Sequence, residues 1–243
     1  MTNESTLEKL NRMKLFGMVR AFTQTMASNA KNNFTHDELI GHLVDAEWDD
    51  RENRKLNRLL GAARFRYSAA FEQIDFSSQR NLDKNAILRL GKCTWIQKGQ
   101  SIIISGPTGV GKSFLACALG NLACHNGYST AYFNCTKLFN LLRLSGADGS
   151  YTKLIKKIER HHLLVLDDFG MEIFDKNTRL HFLEILEDRH GRRSTIITSQ
   201  LPPNKWHEVI GEPTIADAIC DRLIHSSQKI QLKGGSLRKK FTE

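Results

Sequence analysis

The string Gly106-Pro-Thr-Gly-Val-Gly-Lys-Ser113 fits the pattern G-x-x-x-x-G-K-[ST] at every position. Glycines at this spacing let successive backbone N–H groups turn toward one anion, and a helix opening at the end of the loop presents its positive pole to the same anion. Lys112 adds an ammonium for the β- and γ-phosphates of a nucleoside triphosphate, and the Ser113 hydroxyl is a ligand for Mg²⁺. The flanks agree: the apolar run Ser101–Ser105 leads in, and the apolar-rich segment 112–126 leads out. Gly106, Pro107, Thr108, Gly109, Val110, Gly111, Lys112, Ser113 and Phe114 are the expected nucleotide contacts.

A second string, Leu163-Leu-Val-Leu-Asp-Asp168, describes a buried strand that ends in two acids. Ligands of open α/β sheets bind at the carboxyl ends of the strands. Asp167 is therefore the expected metal carboxylate, and Asp168 the group that orients or activates a water attacking the γ-phosphate. Aspartate is one methylene shorter than the glutamate usual at such a position, and a displaced base costs rate, so slow hydrolysis is expected.

The elements that must position these groups follow from hydrophobic pattern. Up to about residue 100 the apolar positions recur at helical spacing, as in Leu7, Leu10 and Met13. Ser5–Glu8 and Thr35–Glu38 read as capping boxes, Gly17 as an interruption, and 82–90 as one more short helix. Residues 73–79 look like a connector. From residue 101 short apolar runs (101–105, 130–133, 163–166, 195–198) alternate with helix-like segments (112–126, 136–144, 151–160, 177–190). Continuous apolar runs mark parallel strands covered on both faces. The expected fold is an α/β, P-loop doubly wound parallel sheet preceded by a small helical N-terminal domain, with residues 1–76 as the helical domain and 77–243 as the ATPase domain.

The 243 residues carry a formal net charge of +9, with 40% hydrophobic and 25% charged side chains. These are globular values, and the length suits one or two domains. No apolar run approaches the ~20 residues of a membrane span. The N-terminus has no signal-peptide core, so a cytoplasmic location is expected. Five cysteines form no C-x-x-C pair, which argues for reduced core thiols rather than a disulfide framework or zinc site. The adjacent His161 and His162 lack companions at tetrahedral-site spacing. Trp95 suits either core packing or a place beside a base. Basic residues outnumber acidic ones 16 to 12 over residues 1–100 and 19 to 14 over 101–243, so the surplus is not confined to a tail. A polyanionic partner is implied.

Beyond the P-loop, the strings Leu183-Glu-Ile-Leu-Glu-Asp-Arg-His-Gly-Arg-Arg-Ser-Thr-Ile-Ile-Thr-Ser-Gln-Leu-Pro202, Lys205-Trp-His-Glu-Val-Ile-Gly211 and Thr214-Ile-Ala-Asp-Ala-Ile-Cys-Asp-Arg-Leu-Ile-His225 resemble the IstB family. These are helper ATPases of bacterial insertion sequences within the AAA+ class, similar to the helicase loaders DnaC and DnaI and the initiator DnaA. The resemblance covers nearly the whole chain. It implies that Gln200 takes the place of the polar sensor-1 residue, usually Asn, and that Arg222 is an arginine finger reaching the ATP of a neighbouring subunit. Such a guanidinium would stabilise the transferring phosphoryl group. Arg238 resembles the sensor-2 arginine, and the lid that follows the ATPase core in this class must be minimal here. The plain alternatives are an ion pair of Arg222 with Asp217 or Asp221, and Arg238 as one charge of a basic tail.

Two basic stripes have helical spacing: Arg51, Arg54, Lys55 and Arg58, and Lys153, Lys156, Lys157 and Arg160. Phosphates require positive groups without regard to sequence, so either stripe suits DNA, and either can equally be a solvated helix face. Asp49, Asp50 and Glu52 can offset the first stripe. Arg192, Arg193, Lys239 and Lys240 are weaker candidates.

The reading that results is an ATP- and Mg²⁺-dependent transposition helper. It would form homo-oligomers through ATP-bridged interfaces on duplex DNA, engage a transposase, and disassemble through slow hydrolysis using Lys112, Asp168, Gln200, Arg222 and Arg238. The alternatives are a DnaC-like helicase loader and an ATP-gated DNA scaffold with incidental hydrolysis.

Overall fold

The computed structural model describes residues 3–27, 34–77, 80–225 and 227–237. They fall into two compact units, Met1–Arg58 and Leu59–Glu243.

The first unit contains α1 (Asn3–Arg12), α2 (Phe16–Ala27) and most of α3 (His36–Ala63). The capping box expected at Thr35 forms: Thr35 N donates to Glu38 Oε2 at 2.7 Å and Glu38 N donates to Thr35 Oγ1 at 3.3 Å. The one expected at Ser5 does not cap, because α1 has already begun at Asn3. Gly17 lies inside α2 rather than interrupting it, and the chain turns earlier, at Lys14, whose φ is +60°. Gly17 is required by proximity: a Cβ there would sit 2.2 Å from the Ala46 carbonyl oxygen. Its N–H, one of the donors a helix start leaves unpaired, gives a 2.8 Å hydrogen bond to Glu47 Oε2. Burial works against the Glu47 charge, but Arg51, Gly17 and Met18 outweigh it and hold the carboxyl below the usual range.

The division into units comes ahead of the 76/77 boundary expected from sequence. Residues 65–76 lack regular pattern but belong to the second unit: Ala69 and Ile74 are buried, and Phe65, Phe71 and Phe76 pack against the core that contains Ile102, Ile104 and Leu115. Aromatic anchoring, which has no periodic signature, explains the difference.

In the second unit α4 (Lys84–Gly91), capped by Asp83, and the short α5 (Thr94–Gln97) lead to β1 (Ser101–Ser105). There follow α6 (Lys112–His125), β2 (Thr130–Asn134), α7 (Cys135–Asp148), α8 (Tyr151–Arg160), β3 (Leu163–Phe169), α9 (Lys176–Arg189), β4 (Ser194–Ser199), α10 (Trp206–Ile210), α11 (Pro213–Ile224) and β5 (Ser227–Gln231). The five strands form one parallel sheet in the order β2-β3-β4-β1-β5. β5 has a polar sequence, SQKIQ, and lies at an edge, so no apolar run announces it.

Strand alternation divides the core between the two faces. Ile103, Leu164, Leu166 and Ile197 pack with residues of α7, α9 and α11. Ile102, Ile104, Leu163, Val165 and Ile196 pack with α4, α6 and the 69–96 segment. Trp95 belongs to this second core, 2% exposed, with Nε1 donating to the Leu90 carbonyl at 3.0 Å. All five cysteines are buried, and burial pushes the Cys117 thiol up to about 11. No described helix is long and apolar enough to cross a membrane.

Polar joints fix the ends of the sheet. The buried Arg189 donates to the carbonyls of Ile158 (3.0 Å) and His161 (2.9 Å) and of Ser194 (2.5 Å), tying α8 and the approach to β3 to the start of β4. Burial and nearby Arg193 lower its pKa to about 9, so it remains protonated near neutrality. His162 Nδ1 accepts the Ser129 backbone N–H at 3.2 Å, which requires a neutral ring protonated on Nε2. Burial first, then Arg193 and Arg189, lowers the pKa of His162.

The folded state therefore binds a proton at this ring less readily than the unfolded chain does. Its contribution to stability is present above the unfolded histidine value of about 6.5 and is lost as pH falls toward the folded value. Denaturant midpoints measured from pH 7.5 downward should decline below about 6.5. His162→Gln, which retains an acceptor that does not titrate, should flatten the decline.

Candidate nucleotide site

The loop 106–111 leaves the C-terminal end of β1 and delivers Lys112 and Ser113 to the first turn of α6. Its glycines are needed individually. Gly106, Gly109 and Gly111 have φ of +149°, +84° and +90°. A Cβ at Gly106 would meet the Leu232 carbonyl oxygen at 2.4 Å, and one at Gly109 would meet Ser236 Oγ at 2.3 Å. The 232–237 segment thus closes against the loop, with Leu237 N donating to the Gly109 carbonyl at 2.9 Å. From the segment before α4, the 7%-exposed Arg80 donates to the Val110 carbonyl at 2.5 Å. Lys112 Nζ donates to the Pro107 carbonyl at 2.8 Å.

Ser113 Oγ donates to Asp167 Oδ1 at 2.8 Å. Asp167 is fully buried at the end of β3 and also accepts Thr198 Oγ1 at Oδ1 and Tyr132 OH at Oδ2, both at 2.5 Å. Burial and the Asp167 carboxylate raise the Tyr132 pKa and keep its hydroxyl a donor. Asp168 follows with φ +60°, at a register shift between β3 and β4. Its N–H donates to Thr198 Oγ1 at 3.0 Å, and its Oδ2 accepts from Asn134 Nδ2 at 3.2 Å. Arg66 Nη1 stands 3.5 Å from Asp168 Oδ2 and 3.6 Å from Asp167 Oδ2. Burial opposes the Arg66 charge, but Tyr67, Tyr132 and the two aspartates outweigh it and its pKa rises. Gln200 Oε1 accepts from Thr108 Oγ1 at 2.7 Å, linking the end of β4 to the loop.

Beside these groups lies a cleft of about 420 Å³ lined, from the expected set, by Thr108, Gly109, Gly111, Lys112, Ser113, Phe114, Asp168 and Gln200, whereas Gly106, Pro107, Val110 and Asp167 are not among its lining residues. Arg66, Tyr67, Gln73, Asp75 and Arg80 complete one wall. A hydroxyl and a carboxylate within hydrogen-bond reach, beside an ammonium and a glycine loop that runs into a helix N-terminus, are a donor set that fits Mg²⁺ and a polyphosphate. Sequence reasoning missed Arg66, Arg80, Tyr132, Asn134 and Thr198. Tyr132 and Asn134 share a face of β2 at i, i+2, but only the pairing Asn134↔Asp167 reveals that this face meets the acids.

Not every described residue of the expected set lines this cleft. Arg222, on α11, is not among its lining residues. Arg222 pairs with Glu187 at 2.7 Å and donates to the Ala218 carbonyl at 2.9 Å. The expected partners differ: Asp217 faces His207 and Asp221 faces His225. Arg238, Lys239 and Lys240 lie outside the described residues.

The two basic stripes have different surroundings. Arg51 pairs with Glu47 at 2.7 Å, Arg54 with Asp50 at 2.6 Å, and Lys55 with Glu52 at 3.3 Å. Arg20 also pairs with Asp50. On α8, Lys153, Lys156, Lys157 and Arg160 are exposed, with Ile155 and Ile158 buried on the opposite side. None of these four forms an ion pair among the described residues.

Comparison with known proteins places this geometry in context. The chain is 46% identical over 234 residues to a Sinorhizobium fredii protein named as an insertion sequence ATP-binding protein, y4pL, covering 96% of each chain. It is 38% identical over 203 residues to a Pseudomonas fluorescens protein named as an ATP-binding protein of insertion sequence IS1162, covering 83% of this chain and 88% of the relative. Among solved structures it resembles the DnaC helicase loader, with a TM-score of 0.56 at 21% identity over 69% of this chain and 98% of that one. It also resembles DnaI, with a TM-score of 0.59 at 20% identity over 74% and 92%. These likenesses show a fold of the AAA+ kind shared with the two loaders. The family model described as "IstB-like ATP binding protein" matches residues 8–243, and the chain belongs to that family.

Proposed function

We infer that the protein is an ATP-dependent helper of DNA transposition. It would assemble on duplex DNA as an ATP-bridged homo-oligomer, engage a transposase, and hydrolyse ATP slowly to disassemble. The observation that carries this reading is the join between Ser113 and Asp167 at the foot of a phosphate loop, in a chain whose relatives take their names from insertion sequences.

The loop N–H groups and Lys112 bind the phosphates, and release of Lys112 from the Pro107 carbonyl frees its charge for them. Ser113 and Asp167 would hold Mg²⁺, which supplies charge neutralisation at the phosphate oxygens when bound. Asp168, held by Asn134, orients the attacking water, and Gln200 takes part from the far side of the cleft. Arg222 acts on a neighbouring subunit's nucleotide, which fits its absence from the cleft of its own chain. Arg238 would serve the nucleotide of its own chain. The α8 stripe is the better DNA face, because its cations are not already committed to acids. Arg51, Arg54, Lys55 and Arg58 form a lesser one.

A helicase-loader role has in its favour the fold shared with DnaC and DnaI. It implies a preference for single-stranded DNA.

Lys112→Ala should abolish binding of a fluorescent ATP analogue and, in electron micrographs with duplex DNA, ATP-dependent assembly. Undiminished assembly would refute the model. Arg222→Ala should leave ATP affinity of the monomer unchanged and lower assembled turnover on the order of 10³-fold, in line with arginine fingers elsewhere. Equal turnover would remove that role. Replacing all four α8 cations with alanine should weaken duplex binding and make its log–log salt dependence shallower by about 0.9 for each phosphate no longer neutralised. An unchanged slope would exclude α8, and tighter binding to single strands than to duplex would favour the loader.

A further inference from the structure

Arg66 is a cation in the cleft that no motif accounts for. It follows the end of α3 and its side chain is 43% exposed. Its contacts differ in kind from those of the other arginines near the core. Arg80 and Arg189 are buried and clasp backbone carbonyls at hydrogen-bonding distance. The Arg66 guanidinium lies over the Tyr67 ring, 5.4 Å from its centroid, and faces the two carboxylates. It donates one hydrogen bond to Asp168 Oδ2 at 3.5 Å, the long limit for such a bond, and stands 3.6 Å from Asp167 Oδ2, so charge more than a tight hydrogen-bond geometry holds it.

The oxygen inventory of the acids makes that position informative. Asp167 Oδ1 is taken by Ser113 and Thr198, and Oδ2 by Tyr132; Asp168 Oδ2 is taken by Asn134. Neutral donors thus hold both carboxylates, and in hydrogen bonds Arg66 adds only a long one of 3.5 Å to Asp168 Oδ2. What Arg66 adds is a permanent positive charge beside two adjacent anions, on the side open to the cleft. A divalent cation held by Ser113 and Asp167 would meet that charge at close range, and like charges there repel.

We propose that Arg66 is the resident counterion of the Asp167–Asp168 pair, competing with Mg²⁺ for these carboxylates until metal and nucleotide displace it. The proposal rests on the reading of Ser113 and Asp167 as the metal ligands. Arg66 is then a positioning residue that sets how much Mg²⁺ the site requires. Its exposure and ring contact leave it free to withdraw toward solvent without disturbing the carboxylates, which Tyr132, Thr198 and Asn134 keep in place.

The test is binding of a fluorescent ATP analogue to the full chain, titrated with Mg²⁺ from an EDTA-buffered start. Arg66→Ala and Arg66→Gln should each lower the Mg²⁺ concentration for half-maximal binding at least threefold, with Arg66→Lys between them and the parent. Either neutral variant suffices if the other does not fold. A half-maximal concentration that is unchanged or raised in the neutral variants overturns the proposal. So does an equal loss of nucleotide affinity with and without Mg²⁺, the mark of a structural role. Asp167→Asn separates the underlying reading: if it and the parent both bind nucleotide without regard to Mg²⁺, the metal-ligand assignment fails and the proposal falls with it. A Mg²⁺-dependent parent with unresponsive Arg66 variants refutes the proposal alone.

Discussion

The carboxylate of Asp167 is buried at the end of β3, and a buried anion is tolerable only where donors replace the water it has lost. Those donors come from three other places in the chain: Ser113 at the head of α6, Tyr132 on β2 and Thr198 on β4. Each must arrive in register. Asn134 pairs with Asp167, and Leu166 with Ile197, and a slip of one residue would turn the donor side chains to the opposite face. The order β2-β3-β4-β1 and the phosphate loop are thus coupled through one carboxyl group. The sheet register and the geometry of the cleft are the same constraint seen at two scales.

Charge is used differently in the two units. In the first, Glu47 and Asp50 sit among Arg20, Arg51 and Arg54, and Glu47 also receives the first N–H groups of α2. A stripe that looks available for nucleic acid is largely paired with acids of its own helix. In the second, α8 buries Ile155 and Ile158 and turns its lysines outward, where none of them pairs with an acid among the described residues. The same i, i+3, i+4, i+7 spacing therefore has two physical meanings, decided by whether acids stand within reach on the same helix.

The parts most legible in the sequence are those with local rules. The phosphate loop needs glycine at set positions, the strands Ser101–Ser105 and Leu163–Phe169 are apolar because both faces are covered, and Thr35 with Glu38 caps a helix by direct reach. What could not be read depends on long-range pairing. β5 is a polar edge strand recognised only by its partner β1. Gly17 resembles a helix breaker until the Ala46 carbonyl is seen against it. Residues 65–76 carry no period, yet their aromatics anchor them to the core of the second unit. Around the two aspartates, Tyr132, Asn134 and Thr198 carry no motif, and the Glu187 partner of Arg222 lies on another helix.

The backbone of Asp168 bears on how this site can be altered. At φ +60° a residue with an ordinary Cβ is disfavoured by about 1–2 kcal/mol, while asparagine and aspartate tolerate the conformation best after glycine. The position is therefore restricted twice, by the hydrogen bond its carboxylate accepts from Asn134 and by the turn its backbone makes. A glutamate would extend the reach of the carboxyl but sit less easily in the turn. The shorter acid suits a strand end that bends here. Removing the carboxylate with alanine would alter the backbone preference as well as the charge. Asparagine, which keeps the conformation and the shape, isolates the charge alone.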